Sequence, residues 1–370
     1  MPVLRSARIF AIASCAIGVS WTTLAHAWED TFSSPRSARS AAAKSKGSYG
    51  CVREDELDAL ASELAKVRAE GSPLGSQLEL AERLRERGLP YVWPKAFAAT
   101  GEEAALAKRG TAWLKSHSFE GEARCGIVQQ GNADGSTDLV IVVVDVLADL
   151  QPLPLKTHAG KWHTLEARFH GPVTEPVVHI VGPDGLPRTV PTSRYGDRVR
   201  ASFAADRPGR FTVQLLADVG ASARPILETV LFADTEPFHP KAPNAPTDAS
   251  LVDLVARFRS DEGLPLFTRD TSLDRVAERH AQAMLREKRV AHDLGSGDPR
   301  ERIANSGISA RSVGENAAHA QTLALAHESF LASPSHRANL LRNDFSRLGL
   351  GVAKDEDGSV WVVELFTAGK

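Results

Sequence analysis

Hydrophobic spacing predicts helices followed by a buried strand in the first third of the chain. Leu57, Leu60 and Leu64 recur three or four residues apart, which is the spacing of one helix face. Residues 139–146 form a mostly β-branched run that is apolar except at Asp145 and is typical of a strand buried on both faces. Residues 51–150 are therefore predicted to be an α+β unit.

The middle of the chain alternates short apolar runs with turn residues. Turns are predicted at 183–185, 195–197 and 207–209, each of which contains glycine. About seven short strands follow from this spacing, so residues 151–236 are predicted to form an immunoglobulin-like β-sandwich. Four prolines in residues 237–248 then predict a stiff linker.

Residues 249–370 form the last predicted unit. Leu273, Val276 and Met284 mark one face of a helix. The apolar runs 348–352 and 360–366 flank an Asp-rich turn and predict a hairpin. The whole chain is therefore assigned to the α+β class.

The N-terminus has the features of an export signal. A basic start precedes an apolar run and the small-x-small sequence Ala25-His26-Ala27, so residues 1–27 are predicted to be removed on secretion or export to a periplasm. Residues 28–50 carry almost nothing to bury and are predicted to be a disordered tether. Alternatively, Cys15 ends a lipobox-like sequence and would anchor a lipoprotein. No other segment is long and apolar enough to span a membrane.

Composition narrows the function classes. The formal net charge is -2, and no basic stretch carries interleaved aromatic residues, so nucleic acid is not an expected partner. Cys51 and Cys125 remain if Cys15 leaves with the signal, and two cysteines in an exported chain are a plausible disulfide. The alternative is two unrelated buried thiols.

Three histidines of the last unit are candidate site residues. His292 follows a predicted helix beside a Gly-rich loop, where it can face a cleft or solvent. His336 is third in a helix that starts with Ser333 as N-cap and Pro334, and the helix dipole there favours a neutral imidazole. His280 lies on an apolar helix face and is read as a hydrogen-bonded core residue.

Two carboxylates are unusually placed. Glu315 stands between Gly314 and a run of small apolar residues in the sequence SVGENAAHA. Glu364 interrupts an apolar strand, where it must be paired or lie at a strand end because an unpaired buried charge is too costly.

Residues 249–370 resemble the CAP superfamily of cysteine-rich secretory, antigen 5 and pathogenesis-related 1 proteins, in its bacterial SCP-like branch. The resemblance follows an ordered set of motifs through the unit. They are the AxxHAxxM-like stretch 277–284 followed by His292, Pro299-Arg-Glu-Arg-Ile303, Gly314-Glu-Asn316, Ser333-Pro-Ser-His-Arg-Ala-Asn-Leu-Leu341 and Leu348-Gly-Leu-Gly-Val352.

The resemblance implies an α-β-α sandwich with a central cleft lined by His292, Glu315 and His336, where some members bind zinc or another divalent ion. Glu364 departs from the family, which often has Gln there, and a further Glu and His of some members have no counterpart. The expected site is therefore weak: two imidazoles plus water, with Glu315 as orienter or base. Alternatively, Glu315 and Asn316 only tie loops together through hydrogen bonds.

The first unit echoes the last. Residues 57–74 end in Glu-Gly-Ser-Pro-Leu and residues 251–266 end in Glu-Gly-Leu-Pro-Leu. Each is followed by Ala-Glu-Arg, which places Leu84 where His280 stands. We hypothesise that residues 51–150 are a degenerate CAP-like copy.

The resemblance favours an extracellular binding module for an unidentified lipid, glycan or protein ligand. The alternative is a metal-assisted hydrolase or peptidase in which His292, His336 and Glu315 activate water. No nucleophilic Ser or Cys lies in a recognisable motif, and a third strong metal ligand is missing.

Overall fold

The computed structural model describes residues 49–72, 74–75, 77–219, 222–237 and 250–369. The predicted export signal, nearly all of the tether and the linker beyond Pro237 lie outside these residues. Helices mix with several sheets, which confirms the α+β class. Among the described helices, none has the length and apolar character that a membrane crossing requires.

A four-stranded sheet with helices on both faces occupies residues 49–146, here called the first-sheet region. Its elements are β1 (Val52–Arg53), α1 (Asp55–Ala69), α2 (Gln77–Glu86), β2 (Lys95–Gly101), α3 (Glu103–Lys115), β3 (Glu122–Gly131) and β4 (Thr137–Val146). The strand order is β1-β3-β4-β2; β1 runs parallel to β3, and the other pairs are antiparallel. Both faces of β4 are buried, one against α1 and α2 and the other against α3.

A disulfide joins the start of this region to β3. Cys51 and Cys125 are bonded, with their Cα atoms 5.9 Å apart across a sequence separation of 74 residues. Both side chains are buried, so the bond is part of the core beneath α3.

Two sheets packed on a common core form the middle of the chain. Their strands are β5 (Ala148–Leu150), β6 (Lys156–Thr157), β7 (Lys161–Phe169), β8 (Val173–Val181), β9 (Pro187–Val190), β10 (Thr192–Tyr195), β11 (Arg198–Ala205), β12 (Gly209–Val219) and β13 (Ser222–Ala233). The orders are β10-β11-β7-β5 and β6-β13-β12-β8-β9. The described part has more strands than the seven predicted, because four of them span only two to four residues and carry no recognisable alternation.

A second four-stranded sheet occupies residues 250–369, here called the fourth-sheet region. Its elements are α4 (Leu251–Asp261), β14 (Thr268–Arg269), α5 (Thr271–Glu287), α6 (Pro299–Asn305), β15 (Val313–Ala320), α7 (Leu323–Ala332), α8 (Pro334–Leu341), β16 (Arg347–Lys354) and β17 (Val360–Thr367). The order is β14-β16-β17-β15. Helices α4, α7 and α8 cover one face and α5 and α6 the other, so the layers are α-β-α.

The start of α8 differs from the sequence prediction in one detail. Ser333 precedes Pro334 at the predicted position, but its hydroxyl makes no capping hydrogen bond. Instead it accepts a hydrogen bond from Gln214 of β12 at 3.2 Å. The side chain therefore connects the helix to the sandwich rather than capping the helix.

The first-sheet and fourth-sheet regions repeat one topology. In each, a short strand leads into a helix and pairs in parallel with the first strand of a hairpin, and an earlier strand pairs with the second. A junction made by an aspartate of the helix holds the helix to the sheet. In the first region, Asp58 accepts hydrogen bonds from Arg53 Nε at 2.9 Å and from the Ile127 amide at 2.8 Å.

The fourth-sheet region repeats these two hydrogen bonds, whereas the further bonds from Arg53 Nη2 to Asp58 and to the Ile127 carbonyl belong to the first region. Asp274 accepts from Arg269 Nε at 2.6 Å and from the Leu350 amide at 2.8 Å. A glycine lies against the helix backbone in both regions, Gly126 in the first and Gly349 in the fourth. A Cβ atom at either glycine would meet that helix at 2.3 Å or less.

The repeat corrects the helix alignment drawn from the sequence. The junction makes α1 the counterpart of α5, not of α4, because Asp58 and Asp274 play the same part. Counting from these residues, Leu64 and not Leu84 stands where His280 does. The shared Glu-Gly-x-Pro-Leu sequence therefore led to an alignment of α1 with α4, two helices that are not equivalent in the structure.

Candidate functional site: a histidine and glutamate cleft

Glu315 is held in the fold by an ion pair and a hydrogen bond. It lies on β15, is 6% exposed, and accepts a hydrogen bond from His292 Nδ1 at Oε1, 2.8 Å away. Its other oxygen pairs with the guanidinium of Arg302. Burial alone would raise the pKa of Glu315, but the bond from His292 and the charge of Arg302 outweigh it and hold the pKa below its ordinary value. The carboxylate is therefore charged at neutral pH.

The short helix α6 positions Arg302, the partner of Glu315 in the ion pair. The helix begins with a capping box in which Asp298 and Glu301 bond each other's backbone amides. Arg302 then reaches back and donates to the carbonyls of His292 and Gly297. One guanidinium thus fixes the loop that carries His292 as well as the carboxylate that His292 contacts.

The contact with Glu315 gives His292 a defined orientation. Because a carboxylate can only accept, the proton of the neutral ring belongs on Nδ1, which faces Glu315. Nε2 then carries the lone pair, and the side chain is 21% exposed. Glu315 thus fixes the tautomer of the imidazole, as carboxylates do behind metal-bound histidines.

His336 supplies a second neutral imidazole. It is the third residue of α8, is 8% exposed, and its ring meets Phe330 edge-on at 5.3 Å. Burial lowers the pKa of His336 to about 3, and the charge that His292 can carry acts in the same direction. The ring therefore stays neutral at physiological pH, the form that binds metals.

His280 is a core residue. It is 1% exposed, and its Nε2 lies 2.8 Å from the carbonyl oxygen of Ala291. The same nitrogen is 3.8 Å from Glu315, beyond hydrogen-bond reach. His280 thus positions the backbone just before His292 and is not itself in the cleft.

Asn316 and Glu364 lie behind the cleft. Asn316 Nδ2 donates to Glu364 Oε2 at 2.8 Å and to the His336 carbonyl at 3.3 Å. Glu364 is 0% exposed, and burial raises its pKa to about 8. At neutral pH it is a protonated carboxyl that anchors Asn316, so the predicted pairing of Glu364 is with an amide and not with a cation.

Sequence reasoning missed two members of this arrangement. Arg302 lies within a motif of the resemblance, but no local pattern predicts an ion pair with Glu315, thirteen residues further on. His327 of α7 is buried, its Nδ1 lies 4.0 Å from Glu364 Oε1, and burial lowers its pKa to about 4. Neither of these two atoms has a hydrogen-bond partner among the described residues.

The donor set fits at most a weak metal site. No group of three or more His, Cys, Asp or Glu side chains able to hold a metal occurs in the described ranges. Both oxygens of Glu315 are engaged by His292 and Arg302, so nitrogen donors for an ion would have to come from His292 and His336. Water would have to complete the coordination of any bound ion.

Comparison with known protein families gives a match for part of the chain. The model of the Cysteine-rich secretory protein family, CAP, matches residues 252–366. A search of curated proteins gave no significant match.

Several solved structures are similar to part of the chain. An outer surface protein from Borrelia burgdorferi is 27% identical over 32% of this chain and 90% of its own, with a TM-score of 0.31. An extracellular protein containing an SCP domain from Bacillus anthracis is 18% identical over 56% and 78%, with a TM-score of 0.31. Venom allergen-like protein 4 from Schistosoma mansoni is 15% identical over 34% and 91%, with a TM-score of 0.27. These scores are low, and the family model carries the assignment: residues 252–366 are a CAP-superfamily segment.

Proposed function

We propose that this protein is an exported binding module whose His292–Glu315–His336 cleft binds a divalent cation weakly. The observation that carries the proposal is the hydrogen bond between His292 Nδ1 and Glu315, which orients the imidazole and puts the lone pair of the neutral ring on Nε2. His336 adds a second nitrogen in its neutral form. A bound cation would supply a positive centre for the polar groups of a ligand.

Modest affinity follows from the donor count. Structural zinc sites use four protein ligands and catalytic sites use three. The cleft offers two imidazoles, and the carboxylate beside them is neutralised by Arg302. The site therefore suits a reversible ion better than a permanent one.

The hydrolase alternative is less well supported. A general base works best when its pKa lies near the working pH. The pKa of Glu315 is instead held below its ordinary value by His292 and Arg302. The same contacts occupy both carboxylate oxygens, so binding is the function that the geometry favours.

Export is supported by the disulfide. A bond between Cys51 and Cys125 persists in oxidising compartments and is rare in a reducing cytosol. This agrees with the export signal proposed for residues 1–27. The proposed ligand of the module is an extracellular lipid, glycan or protein.

Calorimetric titration of the purified protein with zinc chloride tests the metal site. We expect one weak site at pH 7.5 and weaker binding at pH 5.5, because a protonated imidazole cannot ligate. The double variant His292→Ala/His336→Ala should lose the binding, whereas His158→Ala, an exposed histidine of the sandwich, should keep it. Unchanged binding in the double variant would place the ligands elsewhere.

A second variant separates orientation from ligation. Glu315→Gln keeps the shape of the side chain but removes the charged acceptor that orients His292. Loss of such a partner typically lowers metal affinity about tenfold or more. An affinity equal to that of the unmodified protein would show that Glu315 is only a structural tie.

A further inference from the structure

The two histidines of the cleft are held by different parts of the molecule. The loop that carries His292 is fixed within the fourth-sheet region, where Arg302 donates to the carbonyls of His292 and Gly297. Helix α8, which carries His336, instead has its first turn hydrogen-bonded to the sandwich. Both parts belong to one compact unit, residues 45–370. The position of His336 relative to His292 therefore involves the sandwich as well as the fourth-sheet region.

The first turn of α8 has no capping hydrogen bond from its own N-cap residue. The first N–H groups of a helix have no partner within the helix. Pro334 has no N–H, and the hydroxyl of Ser333 makes no capping bond. The amide of Ser335 instead donates to Oε1 of Gln214 at 3.2 Å, across 121 residues of sequence. A residue of β12 in the sandwich therefore performs the function of an N-cap for α8.

Gln214 is itself held in one orientation. It is 1% exposed, and its Nε2 donates to Oε2 of Glu228 at 2.6 Å. A carboxylate accepts and a backbone amide donates, so the nitrogen of the Gln214 side chain belongs towards Glu228 and its oxygen towards Ser335. Arg85 of α2 pairs with the other oxygen of Glu228 at 2.6 Å, and both of these side chains are buried. The cap is thus the end of a series of buried polar contacts that begins in the first-sheet region.

A second contact with the sandwich lies one residue beyond His336. Arg337 Nε donates to the carbonyl oxygen of Gly185 at 2.7 Å, in the turn between β8 and β9. The turn is close to the helix, because a Cβ atom at Gly185 would lie 2.7 Å from the guanidinium of Arg337. The two residues that flank His336, Ser335 and Arg337, are therefore both hydrogen-bonded to the sandwich.

The surroundings of His336 make these contacts important for the position of its ring. His336 lines a cavity of about 500 Å³ together with Gln214, Glu228 and Ser333, so packing does not enclose the ring on that side. Its carbonyl accepts from Asn316 at 3.3 Å, which is the longer of the two hydrogen bonds that this amide nitrogen donates. Functional groups must be held within about 0.5 Å of their productive positions. The first turn of α8 has to provide much of that support.

We propose that Gln214 is a positioning residue of the cation cleft, which caps α8 from the sandwich and so holds His336 where it and His292 can bind one ion. The inference rests on the proposed cation site and makes the sandwich a part of that site. Because coupling between two binding events is reciprocal, a bound cation would also strengthen the contact between α8 and the sandwich.

A purely structural role for Gln214 is the competing explanation. In that case its removal would weaken the fold but leave the zinc affinity of the folded protein unchanged. Thr157 provides a matched comparison within the sandwich, because it is also buried and its hydroxyl lies 2.8 Å from Nε2 of His163. It lies on β6 and not on β12. Loss of its hydrogen bond therefore tests the stability of the sandwich without removing the cap.

The test is calorimetric titration of full-length variants with zinc chloride at pH 7.5, after circular dichroism has shown that each is folded. Ser333→Ala is the starting variant, because its hydroxyl could otherwise turn to cap α8 once Gln214 is replaced. Its zinc affinity should equal that of the unmodified protein. Adding Gln214→Met, which keeps the length of the side chain but removes its polar groups, should weaken zinc binding about tenfold or more. Adding Thr157→Val instead should leave the affinity unchanged.

Amide exchange measured by NMR in EDTA gives a readout that does not depend on metal. With Gln214→Met added to Ser333→Ala, the amide of Ser335 should exchange about tenfold faster, whereas amides of the central strand β17 should not change. An unchanged rate at Ser335 would overturn the proposal. So would a loss of zinc affinity already complete in Ser333→Ala.

The remaining outcomes separate this proposal from the cation site on which it rests. Zinc binding that survives Gln214→Met, or that Thr157→Val weakens equally, would overturn the positioning role and leave the cation site standing. No zinc binding by the unmodified protein would overturn the cation site itself, and the positioning role with it.

Discussion

The first-sheet and fourth-sheet regions share a scaffold but not a site. Their strand orders agree, and each holds its main helix through the same Arg–Asp pair and the same buried glycine. The strand register places Ala96 where Glu315 stands. In its own region, each of the two lies opposite a residue in the second strand of the hairpin, and that residue in turn lies opposite the junction glycine.

The polar residues around the cleft have apolar counterparts in the first region. By the same register, Phe97 replaces Asn316 and Ile141 replaces Glu364. Leu64 replaces His280 on the helix. The first region therefore adopts the topology without counterparts of Glu315, Asn316, Glu364 or His280, so these four residues are not required for the strand order.

The largest expected effect is at the junction glycines. Gly126→Ala and Gly349→Ala each place a Cβ against helix backbone, and we expect a loss of about 4 kcal/mol or more, or failure to fold. Gly131→Ala is the matched control, because nothing lies within 4 Å of a Cβ there. Urea unfolding measures the free energies. Tolerance at only one glycine would break the equivalence of the two regions.

Removing one partner of the Glu315–Arg302 ion pair should destabilise the protein more than removing both partners. Glu315→Ala leaves the buried Arg302 guanidinium without a counter-charge, which costs about 3–5 kcal/mol. The double variant Glu315→Ala/Arg302→Met makes this position resemble the apolar first region. It should recover to within about 1 kcal/mol of the unmodified protein.

Chemical denaturation of the single and double variants decides the point. If the double variant were as unstable as the single one, the cleft would be part of the scaffold. The distinction between a folding junction and a functional site would then fail.

The disulfide is particular to the first region. Cys51 and Cys125 occupy the positions of Phe267 and Leu348, which belong to one apolar cluster in the fourth region. Cys51→Ala/Cys125→Ala should cost about 2–4 kcal/mol. Thermal unfolding under non-reducing conditions measures it, and dithiothreitol should destabilise the unmodified protein alone. Equal sensitivity of the double variant to dithiothreitol would contradict the assignment.

Glu364 should make stability depend on pH. Its folded pKa of about 8 lies above the ordinary 4.5, so the folded state binds the proton more tightly than the unfolded state does. Stability is therefore fully present below pH 4.5 and falls as pH rises towards 8. Ile141, its counterpart, cannot produce this effect.

Glu364→Gln should remove this loss while keeping an acceptor for Asn316. Relative to the unmodified protein, the variant should gain about 2–3 kcal/mol between pH 5 and pH 7.5. Denaturant unfolding at the two pH values measures the gain. Glu278→Gln, on an exposed helix face, is the control and should show none. A pH-independent difference for Glu364→Gln would mean that the carboxyl is already ionised in the fold.

Sequence patterns predicted the features that depend on local residue spacing or on motifs that follow one another in a fixed order. The resemblance to the CAP family implied that Glu315, His292 and His336 line one cleft, and the hydrogen bond between His292 and Glu315 agrees with that prediction. The pairing of Arg302 with Glu315 was missed because it joins a short capped helix to a strand, with no spacing rule between them. The repeat was suspected, but the wrong helices were matched because α1 and α4 end in similar loop sequences. A cavity of about 500 Å³ was beyond prediction, since it is lined by residues of the first-sheet region, the sandwich and the fourth-sheet region.

The most direct test is a crystal of the full protein soaked in zinc and measured at the zinc absorption edge. The account predicts one anomalous peak, about 2.1 Å from His292 Nε2 and from a ring nitrogen of His336, and none in the first-sheet region. A peak bound by other residues, or no peak at millimolar zinc, would contradict the claim that the cleft turns a shared scaffold into a binding site.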